Sequence, residues 1–200
     1  TTPETFTIVE RVLAGEVGPS VAQSLKEHGV NAVAISGRTS GTLVAEPLTT
    51  LVDGTPADLG LVGVVTSVDT RALNELVSAG KVPVISPIAT HENGSVGYNV
   101  NADLAAAAIA GALDAQWLII MTDVEGIYKN WPDKNSLISS ICAEELESLK
   151  ATFAEGMAPK VQACLDAIEA GAKAVRIIDG TNPSALKDAL LGVGGTLVVA

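Results

Sequence analysis

The stretch NADLAAAAIAGALDAQWLIIMTDVEG (residues 101–126) decides the fold of this chain. It is apolar for long enough to suggest a membrane span, but Asp114 and Gln116 interrupt it and alanine supplies much of its apolarity. It divides instead into a buried alanine-rich helix over residues 102–113 and a short strand over residues 117–122, followed by a polar loop. Toward the C-terminus the alternation continues. Helices are expected near 143–150 and over 159–170, then a strand over 174–179, a helix over 183–191 and a last strand from Thr196. Strands separated by helices imply a mainly parallel sheet covered on both faces.

Toward the N-terminus, "THENGSVGYN" reads as a hairpin turning at Asn93-Gly94, and "KVPVIS" before it as a strand. Asp69 begins a helix that Gly80 closes, and residues 42–68, broken by "DGTP", read as an earlier hairpin. Residues 31–36 form a strand that leads into a polar loop carrying Arg38. Two helices come first, over 3–14 and 19–28, with Thr2 as cap, Pro3 at the first helical position and Gly29 as the stop. No repeat or low-complexity linker intervenes, so residues 1–200 read as one α/β domain.

Composition narrows the function classes. Twelve basic against 23 acidic residues give a net charge of −11, which repels nucleic-acid backbones and anionic lipid. An anionic ligand would therefore need a locally basic pocket. The cysteines, Cys142 and Cys164, fall within helical patterns and read as small buried hydrophobes in a reducing cytoplasm. His28 and His91 are isolated in polar contexts, so neither a zinc site nor a Ser-His-Asp triad is expected.

In open α/β sheets ligands gather beyond the carboxyl ends of strands. Four segments qualify: residues 36–41, the segment ending at Asn101, residues 122–126 and the loop before Pro159. Pro159 opens a helix, which sets Lys160 in its first turn against the positive end of the helix dipole, at a cost of about 0.3–1 kcal/mol. With a glycine loop and free amides it would make an anion pocket, although a solvated surface lysine fits the position slightly better. Asn101 reads as a helix cap, and Asp103 also suits a first turn. Asn99 fits capping less well, because it precedes the cap and its amide could hold a ligand carboxylate. For Asp123, turn punctuation and a place near nucleotide or metal stand level. Trp131 reads as packing, and "GVGGT" near the end carries no phosphate role, since no helix follows it.

The segments "TTPETF", "GLVGVV", "PVISPIA", "YNVNADLAAAAIAGAL", "TDVEGIY", "GMAPKVQACLDAIEAGA" and "IIDG", in this order, resemble the amino acid kinase family, and within it the N-acetylglutamate kinases. "YNVNAD" and "GMxPKVxAC" are the specific parts; "TDVxGI" marks only the wider family. The resemblance implies a three-layer α/β/α sandwich and ATP-dependent phosphorylation of the side-chain carboxylate of N-acetyl-L-glutamate, in arginine biosynthesis. It implies a cytoplasmic homo-oligomer without nucleic-acid or membrane partners. By motif, Asn99 would bind acetylglutamate, Asp103 would orient the catalytic lysines, and Lys160 would stabilise the transferring phosphoryl group. Asp123, Val124, Glu125, Gly126, Ile127 and Tyr128 would line the ATP site, with Mg²⁺ held largely by the phosphates and water rather than by protein ligands.

Family members carry, upstream of the "TTPET"-like helix, a strand with a lysine, a glycine-rich loop and a substrate-gripping arginine. The chain begins at Thr1, so the resemblance implies that residues 1–200 are the C-terminal two-thirds or so of such an enzyme and turn over little by themselves. The short "NPSALKDALLGVGGT" segment lacks the acidic pattern of arginine-inhibited members, which argues against that feedback. The alternatives are a kinase for glutamate, aspartate, carbamate or UMP, and a non-catalytic nucleotide-binding fragment.

Overall fold

The computed structural model describes residues 1–51, 54–153 and 157–200. Asp53 of the expected "DGTP" turn, and Glu155 and Gly156 of the loop before Pro159, lie outside the described residues. The chain divides into two compact units, Thr1–Ala105 and Ala106–Ala200.

The first unit opens with α1 (Pro3–Glu10), whose first turn is closed by Thr2: its Oγ1 accepts the Thr5 amide at 3.2 Å. A break was expected around residues 15–18. Instead the helix runs on through a π-helical segment, Arg11–Val17, into α2 (Gly18–Glu27). The cause is Pro19, whose ring would crowd the carbonyl four residues back in a regular helix. Widening the helix relieves this without breaking it. The Gly18 amide then reaches the Leu13 carbonyl, which also accepts the Ser86 hydroxyl at 2.8 Å. Gly18 is required there, since a Cβ would lie 2.9 Å from Ser86 Oγ.

Strand β1 (Ala32–Ser36) pairs in parallel with β4 (Val82–Ser86). Between them lie β2 (Leu43–Pro47), β3 (Val62–Val68) and α3 (Arg71–Ser78), which seats Leu73 in the core. The cap of α3 is Thr70 and not Asp69, which precedes it and accepts the Arg71 amide at 3.0 Å. Strands β5 (Ile88–Thr90) and β6 (Gly97–Val100) form the second hairpin, and its turn is secured by His91 N–H donating to the Val96 carbonyl at 2.8 Å. Both expected hairpins are antiparallel pairs. The sequence did not show that β3–β6 and β2–β5 also pair, in parallel, and so close the four strands into a small barrel. Leu43, Ala45, Ile88 and Ala89 are fully buried on these strands. Arg38, in the loop after β1, bonds Glu10 at 2.9 Å and sits 5.8 Å from the centre of the Phe6 ring.

The division between the units falls within α4 (Ala102–Ala112), the alanine-rich helix. The second unit contains β7 (Leu118–Thr122), β8 (Ser140–Cys142), α5 (Ala143–Leu149), α6 (Ala158–Glu169), β9 (Ala174–Asp179), α7 (Ala185–Leu190) and β10 (Thr196–Val199). The sheet order is β7-β9-β10-β8. Its β7–β9 and β8–β10 pairs are parallel and its β9–β10 pair is antiparallel. β8 went unexpected because three residues are too few to show a period. Cys142 therefore ends a strand and precedes α5 instead of lying in a helix, and it is half-buried; Cys164 is buried in α6 as expected. Alanines let helices approach closely here: a Cβ on Gly111 would come within 2.2 Å of the Ala170 Cβ. The chain is thus α/β, with helices set against parallel-rich sheets. Among the described residues no helix is long and apolar enough to cross a membrane.

Candidate functional site

At the carboxyl end of β7 the chain turns through Thr122–Asp123–Val124, and these residues form one wall of a cavity of about 540 Å³ within the second unit. Lys160 forms another wall. It stands in the first turn of α6, as the proline rule required, and is half-buried. The amides around it are less free than expected. Lys160 N–H and Val161 N–H both donate to the Met157 carbonyl, and Pro159 has no N–H to offer. An anion here would be held by the Lys160 ammonium more than by a backbone cradle. Asp123 is exposed, and its Oδ1 accepts the Thr122 hydroxyl at 3.1 Å.

The apolar end of the cavity comes from Tyr128, Trp131, Phe153 and Met157. Tyr128 is buried, and its hydroxyl donates to Glu125 Oε2 at 3.0 Å. Burial above all, then that bond, pushes its pKa up, so it stays a neutral donor. Trp131 meets Tyr128 edge-on at 5.2 Å and 63°. It packs on that side only, and 57% of its surface is open. Leaving that much of a side chain of ~200 Å² in water forgoes roughly 2–3 kcal/mol of hydrophobic stabilisation.

Of the six loop residues marked by motif, Asp123, Val124 and Tyr128 line the cavity beside Lys160. Glu125 turns away to hold Tyr128, while Gly126 and Ile127 are buried behind. Asn99 lies in β6 and Asp103 in the first turn of α4, both half-buried and both in the first unit. Asn101 caps α4 as expected, its Oδ1 accepting the Asp103 and Leu104 amides at 2.9 and 3.2 Å.

Sequence reasoning missed the residues that set the loop's shape. Thr196, from the glycine-rich run given no role, is fully buried. Its hydroxyl accepts the Ile127 amide at 2.8 Å and donates to the Ile138 carbonyl at 2.6 Å. Gly126 passes so close that a Cβ would meet Thr196 Oγ1 at 2.4 Å and its backbone nitrogen at 2.9 Å. The same run is held from below by Arg176, only 4% exposed, whose guanidinium donates to the Gly194 and Gly192 carbonyls and lies 5.6 Å from the Trp117 ring centre. Burial lowers the Arg176 pKa. Nothing in the local sequence marks these contacts, because each spans 16 residues or more.

A lysine at a helix start and an acidic turn at a strand's carboxyl end share one cavity, at the place where α/β proteins gather their ligands. The chain belongs to the amino acid kinase family, whose profile it matches over residues 1–179. It is 46% identical over 195 residues to the acetylglutamate kinase of Corynebacterium urealyticum, covering 98% of this chain and 64% of that protein. It is likewise 46% identical over 200 residues to the acetylglutamate kinase of Nocardia farcinica, covering 99% and 66%. The chain thus spans a little under two thirds of the length of these relatives. Among solved structures it is similar to the N-acetylglutamate synthase of Neisseria gonorrhoeae complexed with coenzyme A and N-acetyl-glutamate. That match has a TM-score of 0.84 at 27% identity and covers all of this chain and 45% of the other. The carbamate kinase of Giardia lamblia bound to AMP-PNP matches with a TM-score of 0.65 at 21% identity, over 93% and 70%, and shares the fold.

Proposed function

We propose that this chain is the larger part of an acetylglutamate kinase, which transfers the γ-phosphoryl group of ATP to the side-chain carboxylate of N-acetyl-L-glutamate in arginine biosynthesis. The observation that carries this is Lys160 sharing a cavity with Asp123 and Tyr128, in a chain 46% identical to proteins of that name. A carboxylate oxygen attacks the γ-phosphorus and the bridging oxygen leaves with ADP. Catalysis of this step is mostly positioning and charge neutralisation. Lys160 neutralises charge on the transferring group, Asp103 orients the catalytic lysines, and Asn99 holds the acetylglutamate. The loop from Asp123 to Tyr128 supports the nucleotide. Among the described residues no three His, Cys, Asp or Glu side chains converge. A Mg²⁺ ion would come held by phosphates and water, as in other phosphoryl-transfer sites, offsetting their charge. Residues 1–200 form the C-terminal two-thirds or so of one catalytic domain in a cytoplasmic homo-oligomer, and turn over little without the rest.

The test joins this chain to the remaining residues of the Nocardia farcinica relative and measures acyl phosphate trapped as hydroxamate, with ATP and a panel of acids. Acetylglutamate should be the preferred acceptor, and Lys160→Ala should lower kcat by about 10²–10³-fold. Preference for glutamate, aspartate or carbamate would replace the substrate. Nucleotide binding without turnover on any acid would favour the non-catalytic alternative.

A further inference from the structure

We propose that Trp131 is the platform on which the nucleotide base stacks, so that binding of the base is set by this indole, independently of the phosphates. The inference rests on the cavity being the nucleotide site and adds which part of the ligand lies where. Lys160 serves the anionic end of the cavity, while Trp131 and Tyr128 supply an aromatic end. A tryptophan left more than half open beside a cavity lacks the burial that usually accounts for one.

Its backbone is nevertheless fixed. The loop bearing it is closed by a bridge between Tyr128 and Leu137. Lys129 N–H donates to the Ser136 carbonyl at 2.9 Å, and Asp133 N–H to the Asn130 carbonyl at 2.8 Å. Tyr128, buried and anchored on Glu125, supports one side of the ring. An open aromatic on a fixed loop is prepared for a planar ligand, since little freedom remains to be lost on binding. Stacking tolerates different bases because each has a π-face. The site should therefore accept ATP and GTP with similar affinity.

The other tryptophan, Trp117, lies against Arg176 and does not line the cavity, so intrinsic fluorescence separates the two. The experiment titrates residues 1–200 with ATP, GTP and inorganic tripolyphosphate, using wild type, Trp131→Ala, Trp131→Phe, Trp117→Phe and Lys160→Ala. Calorimetry runs in parallel, so that affinity does not depend on the fluorophore. ATP should quench the Trp131 signal in wild type and in Trp117→Phe. Trp131→Ala should weaken ATP and GTP about 5- to 150-fold while leaving tripolyphosphate unchanged, and Trp131→Phe should restore most of the loss. If Trp131→Ala binds ATP as wild type does while Lys160→Ala weakens both ATP and tripolyphosphate, the platform is refuted and the nucleotide site stands. If neither ligand binds wild type, the calorimetry is repeated on the chain joined to the remaining residues of the Nocardia farcinica relative; no binding there means that the cavity is not the nucleotide site, and both proposals fall together.

Discussion

Replacing Thr196 by valine tests whether the loop after β7 is held by one buried hydroxyl. Valine keeps the shape and leaves no cavity. It removes the acceptor of the Ile127 amide and the donor to the Ile138 carbonyl. Both residues are buried, so water cannot take the vacated places. A buried polar group left unpaired costs about 1–3 kcal/mol, and two such groups give about 2–6 kcal/mol. For a chain of this size each kcal/mol moves Tm by about 2–4 °C. The expected drop is therefore about 4–24 °C, read by circular dichroism melting. Thr196→Ser is the control. It keeps the hydroxyl, gives up one methyl group, and should lose no more than about 1 kcal/mol. ATP affinity should fall in the valine variant and not in the serine variant. A valine variant melting within about 2 °C of wild type, or a serine variant falling as far as valine, would refute the clamp.

Gly126→Ala puts a Cβ within 2.4 Å of Thr196 Oγ1 and 2.9 Å of its backbone nitrogen; a loss of several degrees in Tm with weakened nucleotide binding is expected, checked by melting and calorimetry. Leu73→Ala empties a fully buried site in α3 and should cost about 2–5 kcal/mol in urea unfolding. Asp69 has its pKa lowered to about 2, chiefly by the Arg71 guanidinium and then by the Arg71 amide. The folded state holds its proton less tightly than the unfolded chain, whose carboxyl titrates near ~3.9. The stabilisation is therefore present above the unfolded value and is lost as pH falls through the folded one. Between those two values wild type should lose more stability with acid than Asp69→Asn, by a margin that shrinks in salt because the pair is exposed. Equal pH slopes would remove Asp69 from the account.

Local signals carried much of the fold. The proline and glycine punctuation around Pro3, Gly29, Gly80, Asn93-Gly94 and Pro159 placed helix starts, stops and one hairpin turn, since each acts on its own backbone. The Cys142 strand and the closure of the barrel were hidden, because three residues show no period and strand pairing is decided by distant partners. The Pro19 signal was visible but misread: a proline can widen a helix as well as end one. At the candidate site, position at strand ends pointed to Asp123, and helix-dipole reasoning singled out Lys160 as awkward. The open side of Trp131 was not legible, because a tryptophan's burial depends on neighbours the local sequence does not show. Thr196 was missed because a threonine opening a strand looks like any other until its partners, 58 and 69 residues away, are known.

The sheet order β7-β9-β10-β8 has a consequence in time. On the ribosome the chain is made from its N-terminus, so β8 and β9 are synthesised before the strand that joins them. A nascent chain that has reached Leu190 carries two strand edges with a gap between, and the loop after β7 still lacks Thr196. The second unit can close only when its final residues emerge, and until then those edges are open to chaperones or to other chains. Slowing translation over the last helix would lengthen that exposure, whereas the barrel and the β1–β4 pair, complete by Val100, would already be in place.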